Sequence, residues 1–149
     1  MIAAGKGAMV LIGSIDGFMA EQGLAAYCAT KGAILQFSKV LAVDHARQGI
    51  RVNCVCPGVI DTPLLGPAHG VEAVTNMLAK GHLLNRVGAA NEVAQLVSFL
   101  LSERAGFITG AAYPIDGGMT ATIGGTVGEM DENKKQAFEN FMDGLPGDE

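Results

Sequence analysis

Two short, unbroken apolar runs bracket one long helical stretch, and no other feature narrows the possible folds as much. Residues 8–13, AMVLIG, are apolar without alternation, the pattern of a strand covered on both faces. Residues 50–58, IRVNCVCPG, repeat that pattern and stop at Pro57-Gly58, a turn signal. From about Ala25 to Ala46 no proline intervenes, and Ile34, Phe37 and Leu41 recur at three- and four-residue spacing beside Ala33 and Val40. That spacing predicts a long helix with an Ile34–Phe37–Leu41 stripe, weakly broken by Gly32 and ended at Gln48-Gly49.

The rest of the chain continues the alternation. Residues 59–70 hold Pro63, Gly66, Pro67 and Gly70 and read as loop, followed by a short helix over 71–80. Asn91 is an expected N-cap for a helix carrying Val93, Leu96, Val97, Leu100 and Leu101. A third strand is expected within 107–115, closed by Asp116-Gly117-Gly118. Strand, helix, strand, helix, strand is an α/β order with a parallel sheet. Residues 1–125 form one expected domain, and 126–149 an acidic tail with an expected helix over 131–142. A sheet that starts at residue 8 has an apolar edge strand, which proteins seldom leave uncovered.

Composition removes several classes of function. Hydrophobic residues make up 49% and charged ones 17% of the 149 residues, a globular balance. A formal charge of −5, with no basic run, argues against nucleic acid. No apolar stretch approaches the roughly 18 residues of a membrane span, and the N-terminus lacks a secretory pattern. Cys54 and Cys56 fall on one face of the second strand. With Cys28 they read as free buried thiols, which fits a cytoplasmic, reducing setting. His45, His69 and His82 are scattered and suggest no metal site.

The chemistry gathers around Ser14, Tyr27 and Lys31. Tyr27 and Lys31 are four apart on the predicted helix and so share a face. An ammonium beside a phenol favours the phenolate, which makes a tyrosine usable as an acid or base. Ser14 follows a buried strand, at the carboxyl edge where parallel sheets place ligands. In order, the chain shows GSIDG, thirteen residues from Ser14 to Tyr27, YCATKGA, GIRVNCVCPGVIDTP, ITG and DGG. Together these closely resemble the short-chain dehydrogenase/reductase family over roughly residues 5–120.

The resemblance implies the C-terminal half of a Rossmann-like, doubly wound parallel sheet of about three strands. It implies an oxidoreductase that interconverts a carbonyl and a secondary alcohol with NAD or NADP. Tyr27 would be the acid/base and also a cofactor-binding residue, Ser14 would hold the substrate oxygen, and Lys31 would bind the nicotinamide ribose and lower the pKa of Tyr27. Pro57, Gly58, Ile60 and Thr62 match the segment that lies along the nicotinamide. Residues from about Pro63 to Asn85 match a substrate-covering lid, in which Met77, Leu78, Leu83 and Leu84 read as core in preference to a substrate wall.

The family also implies a homo-oligomer, dimer or tetramer, and a small-molecule substrate, while charge and hydropathy argue against nucleic-acid and membrane partners. Its glycine-rich Thr-Gly-x-x-x-Gly-x-Gly turn has no counterpart here. The N-terminal nucleotide-binding half is therefore expected to be absent and the chain truncated. The alternative reading is a non-catalytic remnant that self-associates or pairs with a complete family member.

Overall fold

In the computed structural model, which describes residues 1–121 together with Gln136 and Asn140, the two apolar runs lie side by side in parallel. The first forms β1, Gly7–Ile12, and the second β2, Ile50–Pro57. Helix α1, Ala25–His45, crosses between them. β2 is the centre of a three-stranded parallel sheet, flanked by β1 and by β5, Ala112–Ile115. Register runs from Gly7 opposite Ile50 to Ile12 opposite Val55, and from Cys54 opposite Ala112 to Pro57 opposite Ile115. The segments that leave Ile12, Pro57 and Ile115 therefore emerge at one edge.

Side chains alternate across a strand, so Ile50, Val52, Cys54 and Cys56 share a face of β2. α1 covers that face. Leu35 packs with Cys54 and Cys56, and Ala42 with Ile50 and Val52, helped by Met9, Leu11, Ile34 and Leu41. Arg51 points the other way and reaches the last carbonyls of α3, Ala90–Leu101, which places α3 on the opposite face. Leu100 is the fully buried residue of α3, whereas the expected apolar position Leu101 is exposed.

The row of α1 that meets the sheet is Leu35, Ser38 and Ala42, not the expected stripe. Phe37 is 56% exposed, and Ile34 and Leu41 lie at the margins of the buried row. Apolar residues surround most of this helix, so spacing alone did not select a face. The small Ser38 and Ala42 let the helix approach closely, and the Ser38 hydroxyl donates to Leu35 O at 2.8 Å.

Residues 59–70, expected as loop, contain the two-residue strand β3, Ile60–Asp61, and a 3-10 turn over Pro63–Ala68. β3 pairs in parallel with β4, Gly88–Ala89. Helix α2 spans Glu72–Ala79. The strand expected within 107–115 shortens because polar groups of β2 hold the chain before it. Buried Asn53 donates from Nδ2 to Ile108 O (2.9 Å) and accepts at Oδ1 from Ala111 N–H (3.2 Å). Thr109 Oγ1 accepts the Val52 N–H at 3.0 Å, and Gly110 turns the chain at φ 75°, a backbone region glycine adopts readily.

Asn91 is not the cap of α3. The helix begins at Ala90, and Glu92 reaches back to accept the Ala89 N–H at 2.8 Å. Glu92 also takes two hydrogen bonds from Arg86, at 2.7 and 2.8 Å. The Arg86 guanidinium, helped by the Ala89 amide, lowers the Glu92 carboxyl to about 2. A depressed folded-state pKa gives stability that is present above the unfolded value and lost as pH falls toward the folded one. That window here runs from about 4.5 down to about 2. Arg86→Met is expected to move the Glu92 midpoint back toward the ordinary range in a carboxyl ¹³C NMR titration. An unchanged midpoint would contradict the pairing.

Most of the expected 126–149 tail and its 131–142 helix lies outside the described residues. Gln136 and Asn140 are both helical, and Gln136 Nε2 donates to Asn140 Oδ1 at 3.2 Å. Among the described residues no helix is long and apolar enough to cross a membrane.

Candidate functional site

The site assembles at the carboxyl edge of the sheet. β1 ends at Ile12, and Gly13 continues the ladder by donating its N–H to Val55 O at 2.8 Å. Gly13 is confined: a Cβ there would lie 2.9 Å from Cys54 Sγ and 3.1 Å from Cys56 Sγ. Ser14 follows, 6% exposed, and opens the 3-10 turn Ile15–Gly17. Its Oγ accepts the Asp16 N–H at 3.1 Å. A Cβ on Gly17 would lie 2.9 Å from Lys31 O and 2.7 Å from Leu35 Cδ1, so the Ser14 turn rests directly on α1.

That contact brings the separated residues together. Lys31 donates from Nζ to Ile12 O at 3.2 Å, crossing from α1 to the end of β1. The same ammonium stands 5.5 Å from the centroid of the Tyr27 ring. Tyr27 is half-buried, and its hydroxyl makes no hydrogen bond to the described residues. Ser14, Tyr27 and Lys31 thus gather around the exit of β1.

Beneath Gly13 the two strand cysteines lie with sulfurs 3.7 Å apart, both buried and unlinked, while Cys28 is half-buried. The hydrogen bond between the two thiols, in which either sulfur can be the donor, lowers Cys54 to about 7 against the opposing effect of burial. The Gly13 amide and the Lys31 charge push Cys54 the same way. Cys56 is driven upward by the same hydrogen bond and by burial.

The second wall is the exit of β2. Gly58 donates its N–H to Ile115 O at 3.1 Å. A Cβ on Gly58 would come 2.9 Å from Asp116 Cβ and 3.2 Å from His82 Nε2, so this position accepts no side chain. Val59 N–H is received by His82 Nε2 at 3.3 Å, and Val59 O accepts the Gly88 N–H at 2.9 Å. Ile60 and Thr62 are half-buried, with the Thr62 hydroxyl 3.4 Å from Ile60 O. Asp61 receives His69 Nδ1 at 2.8 Å.

Sequence reasoning missed two supports of this wall. His82, 2% exposed, gave no signal beyond being one of three scattered histidines. Asp116 belongs to the DGG segment, read as a strand stop and as part of the family pattern but given no supporting role. Its carboxylate accepts from Gly118 N–H (3.0 Å), Thr120 N–H (2.7 Å) and Thr120 Oγ1 (2.7 Å). Burial works to raise its pKa, but the Thr120 and Gly118 donors outweigh it and hold the group below its usual value.

Met77, Leu83 and Leu84 are exposed rather than core, with Leu84 63% accessible. They follow or end a short helix with little described structure packed over it. The cavity touching Val59, Ile60, His82 and Asp116 is about 100 Å³, room for a few waters. A wider cleft of about 650 Å³ lies at the opposite, amino end of the strands, beside Lys6, Ile50 and Phe107, away from Ser14 and Tyr27. Among the described residues no group of three or more His, Cys, Asp or Glu side chains could hold a metal ion.

Known proteins match this arrangement over most of the chain. A family model described as enoyl-(acyl carrier protein) reductase matches residues 1–120. The 2-(S)-hydroxypropyl-CoM dehydrogenase 3 of Xanthobacter autotrophicus is 42% identical over 81% of this chain and 49% of its own. A short chain dehydrogenase family protein from Francisella tularensis matches with TM-score 0.70 and 40% identity, over 77% of this chain and 51% of its own. The gluconate 5-dehydrogenase of Burkholderia cenocepacia, solved with NADP and tartrate, matches with TM-score 0.76 and 33% identity, over 82% and 48%. The chain spans about half the length of these relatives. With the parallel sheet, the Ser14–Tyr27–Lys31 cluster and these matches in agreement, the chain belongs to the short-chain dehydrogenase/reductase family.

Proposed function

We propose that this chain carries the hydride- and proton-transfer end of an NAD(P)-dependent oxidoreductase that interconverts a carbonyl and a secondary alcohol. The observation that carries the reading is the position of the Lys31 ammonium, which bonds to the end of β1 and stands over the Tyr27 ring. One of its three N–H donors is used on Ile12 O, which leaves donors for the hydroxyls of a ribose. The Tyr27 hydroxyl, making no hydrogen bond to the described residues, is available to a substrate oxygen.

The donor set therefore fits a nicotinamide nucleotide, which when bound supplies or receives the hydride. Lys31 would hold its ribose. Backbone groups of Pro57, Gly58 and Ile60, with the Thr62 hydroxyl, would hold the carboxamide and so select the ring face. In the reducing direction Tyr27 gives its hydroxyl proton to the carbonyl oxygen, and the nearby ammonium stabilises the phenolate left behind. In the oxidising direction Tyr27 takes the alcohol proton. Ser14 would donate a hydrogen bond to the same oxygen, opposing the build-up of charge on it.

The names of the relatives support an alcohol or ketone substrate: 2-(S)-hydroxypropyl-CoM in one, gluconate in another. Exposed Met77, Leu83 and Leu84 support an apolar wall on the lid side. Exposed Phe37, Val40 and Val43 on α1 support a homo-oligomer. The test is secondary-alcohol oxidation followed as reduced cofactor, comparing the wild-type chain with Tyr27→Phe.

A further inference from the structure

Three segments that are far apart in sequence meet at one buried imidazole. His82 follows α2 after Gly81, and its own amide still donates to Ala79 O at 3.0 Å. Its ring is nearly inaccessible and uses both nitrogens. Nδ1 lies 3.1 Å from Leu78 O, which can only accept, so the proton sits on Nδ1. Nε2 then carries a lone pair, and it receives the Val59 N–H at 3.3 Å.

Glycines make room for the ring on either side. A Cβ on Gly58 would stand 3.2 Å from Nε2, and one on Gly117 would stand 3.3 Å from the His82 Cβ. Two residues on, Leu84 N–H donates to Gly117 O at 3.1 Å, which ties the same segment to the turn after β5. Val59 is otherwise the point where β2 has ended and β3 has not begun. Without His82 its N–H would have no partner among the described residues.

From this geometry we infer that His82 is the positioning residue for the Gly58–Val59 turn and yokes that turn to the end of α2. The inference rests on the reading that this turn faces the nicotinamide. An imidazole presents a donor and an acceptor on a rigid ring, so a shift of α2 is transmitted to the Val59 peptide. The segment expected to cover substrate and the turn expected to hold the carboxamide then move as one. A covering segment that couples to cofactor in this way would make the two binding events cooperative.

The experiment is amide hydrogen exchange on the full chain for the wild type, His82→Leu and His82→Gln, with NADH and NADPH titrations alongside. Glutamine can offer both an acceptor and a donor; leucine offers neither. His82→Leu is expected to speed exchange at Val59 by about tenfold or more, with Val52–Val55 protected as before. His82→Gln is expected to restore most of that protection. Cofactor dissociation constants should rise about tenfold in His82→Leu and about twofold or less in His82→Gln.

The inference is overturned if Val59 exchange is unchanged, if exchange rises equally through β2, or if glutamine restores nothing. Should His82→Leu fail to fold, long-range ¹H–¹⁵N correlation on the wild-type chain still decides. The proton is expected on Nδ1, and a proton on Nε2 would refute the arrangement. Absence of any binding by the wild type would count against the cofactor reading, while the exchange data would still judge the role of His82.

Discussion

Tyr27→Phe is expected to slow secondary-alcohol oxidation by about 10²–10⁴-fold, the range that a positioned acid/base contributes. The fold should be nearly untouched. The Tyr27 hydroxyl makes no hydrogen bond to the described residues, and phenylalanine keeps the ring over which Lys31 stands at 5.5 Å. An unfolding free energy within about 0.5 kcal/mol of wild type is therefore expected. Cofactor affinity should also change little, because the ribose contacts are assigned mainly to Lys31. The informative result is the combination: a large loss of turnover with stability and binding preserved. Equal turnover by Tyr27→Phe would remove Tyr27 from the reaction.

Arg51→Met should carry the largest stability loss outside the apolar core. Arg51 Nη1 donates to Leu100 O at 2.8 Å and Ile108 O at 3.3 Å, and Nη2 donates to Ser102 O at 3.0 Å. One guanidinium thus closes the C-terminus of α3 and the segment that leads into β5. A cation there also suits the negative end of the helix dipole. Methionine preserves much of the aliphatic stem but leaves these carbonyls without their donors, at a cost of about 2–4 kcal/mol. Urea unfolding measures it. A change below about 0.5 kcal/mol would mean that water replaces the guanidinium without loss.

Much of this architecture was legible before any coordinates. β1, α1 and β2 follow from runs long enough to declare themselves, but only β2 is buried as a continuous apolar run implies; β1, at the edge of the sheet, is half-buried and its Ile12 is exposed. Ser14, Tyr27, Lys31 and the Pro57–Thr62 segment in register carried the family resemblance, and the fold brings the first three to the exit of β1. The parts that stayed hidden depend on partners distant in sequence. β3 and β4 are two residues each and exist only because Ile60 meets Gly88. Asn53 and Arg51 sit in a run read as apolar strand, yet both are satisfied by the backbone around Ile108. His82 became visible only when Val59 and Leu78 were seen on either side of its ring. The Phe37 stripe was misassigned because a helix apolar on several sides does not announce which side is covered.

Arg51 and His82 support the Gly58 turn through different segments. Arg51 anchors the segment that leads into β5, and β5 delivers Asp116 and Gly117 to the back of the Gly58 turn. The cluster of Ser14, Tyr27 and Lys31 is held separately, through Gly13 and Gly17 against β2 and α1. The two walls therefore depend on different interactions and can be perturbed independently.

The most direct measurement is a fluorescence titration of the 149-residue chain with NADH and with NADPH, repeated for Lys31→Met. Saturable binding of at least one cofactor is expected, weakened by about tenfold or more when the ammonium is removed. Binding of neither cofactor by the wild type, or binding that Lys31→Met leaves unchanged, would contradict the assignment of this edge of the sheet to the nicotinamide ribose.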